Sequence, residues 1–387
     1  MDKSNRFMNE LFRIVNGALR LDIDKVRNYT SFLADKLEEE GDTSSARRLR
    51  KMLTETDHVL RPADVTFSGT LPVDSDSRFP LVEHINVKHL EEPPIILPEE
   101  QWQIIHEFLS VAKSHALLDT RRIHGSVNLL IYGPPGTGKS RLARHIAQDL
   151  NLELYVARLD GLISSFLGST SKNIRALFEF ASKTPCVLFL DEFDAIAKLR
   201  GDTQELGELK RVVNSFIQNL DALGPQSIVL AATNHEALLD SAVWRRFGYR
   251  LELDYLEADL RKDLWLEFAG ELNFTDRDLG LLVDLSEGFS GSDIEEVCRR
   301  LERLWIISQT EPGLDKAFLI LSNVGIGEGE DRRFLSGLRG CDHKKIVTAL
   351  RSRNEKLYSH AALAQLLGVS KSTAYRYSHE EVIPDGE

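Results

Sequence analysis

Apolar residues recur along this chain with two different periods, and the switches between them mark its organisation. Phe7, Leu11, Val15 and Leu19 fall about four residues apart, Ile23, Val26, Tyr29, Leu33 and Leu37 continue on a second face, and Ala46, Leu49 and Leu53 suggest a third. The spacing predicts helices to about Glu55, with Gly41 ending the second, in an N-terminal module over residues 1–60. Such a module serves either as packing and oligomer contact or as a seat for a partner or substrate. Over 61–94 the periodicity lapses, and Pro62, Pro72, Pro80, Pro93 and Pro94 predict a linker with a short strand or two. From 95 to 255 short apolar runs alternate with amphipathic ones. Asn128–Tyr132, Glu153–Arg158, 186–190 and 227–231 read as buried parallel strands. Helical spacing returns over 256–335, with Leu260, Leu264, Phe268 and Leu272, then Ile294, Val297, Leu301 and Leu304. Ser292 followed by Glu295 predicts a capping box for the later helix, and the glycine-rich stretch 325–331 reads as a connector. Residues 342–387 form a last helical unit. The fold class is α/β.

Composition narrows the setting. Lys and Arg number 48 against 60 Asp and Glu, so the formal charge of −12 excludes a protein built to coat nucleic acid, while a local basic patch stays open. Three cysteines, odd in number and far apart, argue against a disulfide framework or a zinc site. The first residues, MDKSNRFMNE, lack the apolar core of a signal peptide. No apolar run approaches the roughly 20 residues a membrane span needs. A soluble cytoplasmic protein without membrane association is the expectation.

The chemistry gathers around GPPGTGKS: Gly133, Pro134, Pro135, Gly136, Thr137, Gly138, Lys139 and Ser140. Between a strand and a helix, glycines at this spacing let successive backbone N–H groups form an anion nest. Lys139 would reach the β- and γ-phosphates of ATP, and the Ser140 hydroxyl would ligate Mg²⁺. Some 50 residues on, CVLFLDE ends in two carboxylates, Asp191 for the metal side and Glu192 to polarise the attacking water. SIVLAATN places Asn234 at the end of another strand, where its amide either orients that water or caps a turn. In DSAVWRRFGYR, Arg245 and Arg246 are either a solvated pair or a source of cation for a neighbouring subunit's phosphate.

The order and spacing of GPPGTGKS, VLFLDE, AATN, RRF and GFSGSDI (288–294) resemble the AAA+ ATPases. The likeness is to the branch of metalloprotease-coupled unfoldases, vesicle-fusion ATPases and microtubule severers, and it covers residues 95 to 310. It implies a P-loop core with a parallel sheet and a helical lid, preceded by a small helical domain and followed by a further helical unit. It also implies ATP hydrolysis with Mg²⁺ in a homo-oligomeric ring, usually a hexamer. Asn234 would be the first sensor and Arg246 the arginine finger, with Arg245 competing. The family's second finger stands three residues after the first, whereas Arg250 stands four after Arg246. GFSGSDI would open the lid helix toward the nucleotide, without a sensor arginine.

Phe166, Leu167 and Gly168 resemble the aromatic–hydrophobic–glycine pore loop with which this family grips polypeptide; the competing reading is a core phenylalanine. HAALAQLLGVSKSTAYRY (360–377) resembles a helix-turn-helix: Gly368 makes the turn, Val369 and Ala374 seal the core, and Lys371 and Arg376 face outward. Such a pair serves DNA or a protein partner. About seven basic and six acidic side chains over 342–387 leave it without a strong electrostatic footprint. The leading expectation is a ring that remodels or threads protein. Bacterial ATPases that look like this one are often paired with a separate subtilisin-like protease in anti-phage modules, and no HExxH or GxSxG occurs here. The alternative is a DNA-associated loader targeted by its C-terminal helices.

Overall fold

The computed structural model describes residues 23–39, 42–55, 71–74, 78–87, 93–114, 127–158, 167–195, 206–223, 227–324, 333–338 and 340–379. Among the described residues two helices come first, α1 (Ile23–Glu39) and α2 (Thr43–Glu55). They pack through buried Leu33, Ala34 and Ala46, and Arg50 pairs with Asp35 and Glu38 at 2.7 Å. Gly41, expected to end the first of these helices, lies outside the described residues. So do Phe7 to Leu19 and the connector 325–331.

Six strands form one sheet: β1 (Glu83–Ile85), β2 (Asn128–Tyr132), β3 (Glu153–Arg158), β4 (Cys186–Asp191), β5 (Ser227–Thr233) and β6 (Tyr249–Glu252). Their order is β1-β3-β4-β5-β2-β6, with only β1 antiparallel to its neighbour. Alternate residues of the inner strands feed two cores. Leu129, Ile131, Val187, Phe189, Ile228 and Leu230 meet α3 (Glu99–Lys113) and α4 (Lys139–Leu150) on one face. Leu130, Leu188, Leu190, Val229 and Ala231 meet α5 (Leu167–Lys183) and α6 (Leu206–Asp221) on the other. Helices on both faces bury each strand twice, which is why these segments read as continuous apolar runs. Because β2 lies between β5 and β6 while β3 lies beyond β5 and β4, the chain leaves β2 at a switch point, where open α/β sheets bind ligands.

After a four-residue helix α7 (Ser241–Trp244) and β6, the chain becomes helical: α8 (Ala258–Ala269), α9 (Asp276–Leu285), α10 (Gly291–Ser308) and α11 (Leu314–Val324). α12 (Arg333–Leu338), α13 (His343–Arg353), α14 (His360–Leu367) and α15 (Lys371–His379) follow. One apolar cluster runs through both groups, from Leu264 and Trp265 to Leu363, Leu366 and Ala374. Buried Tyr358 donates its hydroxyl to Asp284 of α9 at 2.6 Å, and Arg353 pairs with Asp284 at 2.8 Å and with Glu287. Leu304, expected on the inward stripe of α10, is largely exposed.

One expected cap is corrected. α10 begins at Gly291, so its capping box joins Ser290 to Asp293, and Ser292 and Glu295 make no such pair. Ser292 lies in the first turn, and its N–H donates to Gly136 O at 3.1 Å. No helix among the described residues is long and apolar enough to cross a membrane.

Candidate active site

The loop between β2 and α4 is shaped by three glycines at positive φ: Gly133 (136°), Gly136 (78°) and Gly138 (98°). A Cβ on Gly133 would stand 2.1 Å from Leu253 O, and one on Gly136 would stand 2.4 Å from Ser290 Oγ. Only glycine fits either place. Gly138 caps α4 and no side chain does, so the first-turn N–H groups of α4 find no side-chain acceptor there. Helix starts of this kind receive anions.

Lys139 is buried, and its Nζ donates to Gly133 O at 2.8 Å and Pro134 O at 2.7 Å. Burial pushes its pKa down to about 8, partly opposed by Asp191, Asp194 and Glu236. Thr137 Oγ1 donates to Pro134 O at 2.9 Å and tightens the same turn. Across the loop, Ser140 Oγ lies 3.5 Å from Asp191 Oδ2.

The ends of β4 and β5 are stitched together. Phe193 N donates to Ala232 O at 2.8 Å, and Thr233 Oγ1 donates to buried Asp194 at 3.1 Å while accepting from His235 N at 3.0 Å. This fixes the two residues beside the stitch. Glu192 holds a left-handed φ of 53°, rare for a residue with a Cβ, and its N–H donates to Asp191 Oδ1 at 2.9 Å. Asn234 Oδ1 is buried without a hydrogen-bond partner. A buried carbonyl oxygen left in this state costs about 1–3 kcal/mol unless a ligand or water donates to it.

These groups line one cleft of about 410 Å³ between the sheet and the following helices. Pro135 to Ser140, Asp191, Glu192 and Asn234 form its floor, and Ser290, Gly291 and Ser292 its far wall. Ile95, Ile96, Tyr255, Leu256, Leu264 and Phe268 supply an apolar side wall suited to a flat ring. Gly133 and Pro134 shape the loop from behind without lining the cleft. The donor set fits a nucleoside polyphosphate with a hard divalent cation: a cation, uncapped amides, a hydroxyl and a carboxylate 3.5 Å apart, and an orphaned amide oxygen.

Two expected arginines stand elsewhere. Arg245 and Arg246 are exposed and line no part of the cleft, and Arg246 pairs with Asp221 at 3.3 Å. Arg250 donates to Trp244 O at 2.8 Å and lies over that indole, so it is held within its own chain. Phe166 lies outside the described residues, and Leu167 and Gly168 open α5. Sequence reasoning missed Arg141, Arg144 and Glu295. All three line the cleft, and Arg141 bridges to Glu295 at 3.1 Å while lying over the Phe268 ring. No local signal marks a pair separated by 154 positions.

Comparison with known proteins agrees with this geometry. Residues 129–255 match the ATPase family associated with various cellular activities (AAA). The chain is similar to the uncharacterized AAA family ATPase y4kL of Sinorhizobium fredii, 36% identical over 292 residues that cover 74% of this chain and 86% of that protein. It is similar to the cell division cycle protein 48 homolog of Archaeoglobus fulgidus, 26% identical over 314 residues, 76% of this chain and 43% of that protein. It is also 31% identical over 242 residues to the proteasome-activating nucleotidase of Methanococcus vannielii, 59% of this chain and 58% of that protein. It therefore spans most of the first relative and less than two thirds of the other two. With a phosphate loop after β2, paired carboxylates at the end of β4 and a family match that spans both, the chain belongs to the AAA family of ATPases and hydrolyses ATP.

Proposed function

We propose that the chain assembles as a homo-oligomeric ring, a hexamer, that couples ATP hydrolysis to the remodelling or threading of protein. The observation that carries this reading is the division of groups described above. Lys139, Ser140, Asp191, Glu192 and Asn234 share one cleft, whereas Arg245 and Arg246 lie outside it on the same chain. Among the described residues the cleft holds Arg141, which is paired with Glu295, and Arg144, but neither arginine of the RRF segment, so that pair would act on the cleft of a neighbouring subunit. Arg246 takes that part, with Arg245 as the alternative. Lys139 holds the β- and γ-phosphates, Glu192 accepts the proton of the attacking water, and Asn234 Oδ1 accepts a hydrogen bond that orients it. Ser140 and Asp191 would hold Mg²⁺, which supplies neutralisation of phosphate charge. Phe166, Leu167 and Gly168 serve as the pore loop.

Similarity to a proteasome-activating nucleotidase supports a protein substrate. The short helical N-terminal module and compact core support, as the finer form of this proposal, a separate subtilisin-like protease as partner in a cytoplasmic anti-phage module. The test is Glu192→Gln, which keeps the shape and removes the proton acceptor. ATP binding is expected to persist while turnover falls at least about a hundredfold, together with unfolding of a tagged substrate. Turnover near the parent rate would sink the assignment.

A further inference from the structure

Helices α13, α14 and α15 contribute nothing to the cleft, yet they are carefully terminated. Ser359 caps α14, and Gly368 closes it at a left-handed φ of 63°. Val369 N then donates to Ala364 O at 3.0 Å, and Ser370 Oγ accepts from Thr373 N at 3.1 Å where α15 starts. α15 packs on α13 and α14 and fully buries only Ala374. Ser372, Tyr375, Arg376 and His379, at the spacing of one helical face, are all exposed, and Lys371 joins them at the N-terminal end.

That face is polar. It offers the Tyr375 ring stacked on the His379 imidazole and no aliphatic side chain, whereas a helix that docks in a protein groove presents apolar anchors at these same positions. Its charge also differs from that of the chain. Residues 340–379 carry seven Lys and Arg against Asp342 and Glu355, +5 by sequence within a chain of −12, although Arg353 is paired with Asp284 and Glu287 from outside the stretch and Arg351 with Glu355. The acids that balance the count over 342–387 are Glu380, Glu381, Asp385 and Glu387, beyond α15. From Lys356 to His379 there is no Asp or Glu at all. Only the run from Thr120 to Gln148 is longer, and it contains the phosphate loop.

We propose that α15 is a duplex-DNA-binding helix: Lys371 and Arg376 contact backbone phosphates, and Ser372, Tyr375 and His379 face the major groove. The outward helix of a helix-turn-helix fits that groove, and a helix that carries Lys371 and Arg376 with no Asp or Glu of its own suits a row of phosphates. This binding is separate from the cleft's chemistry and stands whether or not the chain threads protein.

The test uses the full chain, because removing α13–α15 would strip the lid of part of its own core. A short labelled duplex is titrated at several salt concentrations and followed by fluorescence anisotropy. Lys371→Ala/Arg376→Ala is expected to weaken binding about sixtyfold at about 0.1 M salt and to flatten the log–log salt slope by about 1.8. Its ATP turnover and melting temperature should match the parent's. Absence of duplex binding at low salt, or an unchanged slope in the double variant, would overturn the proposal. Polyglutamate bound as tightly as the duplex would also overturn it and point to an acidic protein.

Discussion

Replacing Gly136 by alanine should damage the protein more than the same change at Gly138, although both residues hold positive φ. At Gly138 the added Cβ meets nothing within 4 Å, so the cost is backbone strain alone, about 1–2 kcal/mol. At Gly136 the Cβ would sit 2.4 Å from Ser290 Oγ and 3.0 Å from Ser290 Cβ, so Ser290 must leave its place. Ser290 is the cap of α10, and losing it costs about 1 kcal/mol more. The total for Gly136→Ala is then about 2–3 kcal/mol. Urea unfolding monitored by circular dichroism, together with nucleotide-analogue binding, measures both effects. A second change, Ser290→Gly, removes the two nearest obstructing atoms and leaves only Ser292 Cβ at 3.2 Å, so the pair should show a coupling of at least about 0.5 kcal/mol in a double-mutant cycle. Equal losses at Gly136 and Gly138, or strict additivity with Ser290→Gly, would refute the contact between the phosphate loop and the start of α10.

Arg246→Ala should abolish hydrolysis while leaving nucleotide binding intact, and mixing it with inactive Glu192→Gln should restore some ATPase, since certain interfaces then carry both groups. Demonstrably mixed rings without recovery would return the role to Arg245 or to neither. Phe166→Ala should leave basal ATPase within a few-fold and abolish unfolding of a tagged substrate, whereas a core phenylalanine would instead lower stability by about 3–5 kcal/mol. Burial pushes the thiols of Cys186 and Cys298 up to about 12, so almost no thiolate forms at pH 8. A colorimetric thiol titration should count one fast cysteine, Cys341, in the native protein and three after denaturation.

What could be read from the sequence follows from how each segment is buried. β2 to β5 are covered on both faces and therefore announce themselves as unbroken apolar runs. β6 went unread because it is a four-residue edge strand that buries only Leu251 fully. The cap of α10 could not be chosen locally: Ser290 with Asp293 and Ser292 with Glu295 show the same spacing, and the packing of Gly136 against Ser290 and Ser292 distinguishes them. Of the expected site residues, Pro135 to Ser140, the two acids and Asn234 come together at one cleft, because they follow β2, β4 and β5, which are neighbours in the sheet. The side walls of the cleft come from two distant segments, Ile95–Ile96 and the stretch from Tyr255 to Phe268, with no shared pattern.

The apolar cluster that joins α8–α11 to α13–α15 makes α15 a rigid extension of the body that closes the cleft. Tyr358 and Arg353 tie it at Asp284, and Ser290 and Ser292 carry the same body onto the phosphate loop. Reciprocity is then a thermodynamic obligation. Any molecule held at α15 that favours one position of this body over another shifts the affinity of the cleft for nucleotide by that same factor. Nucleotide exchange shifts the grip of α15 by an equal amount in return.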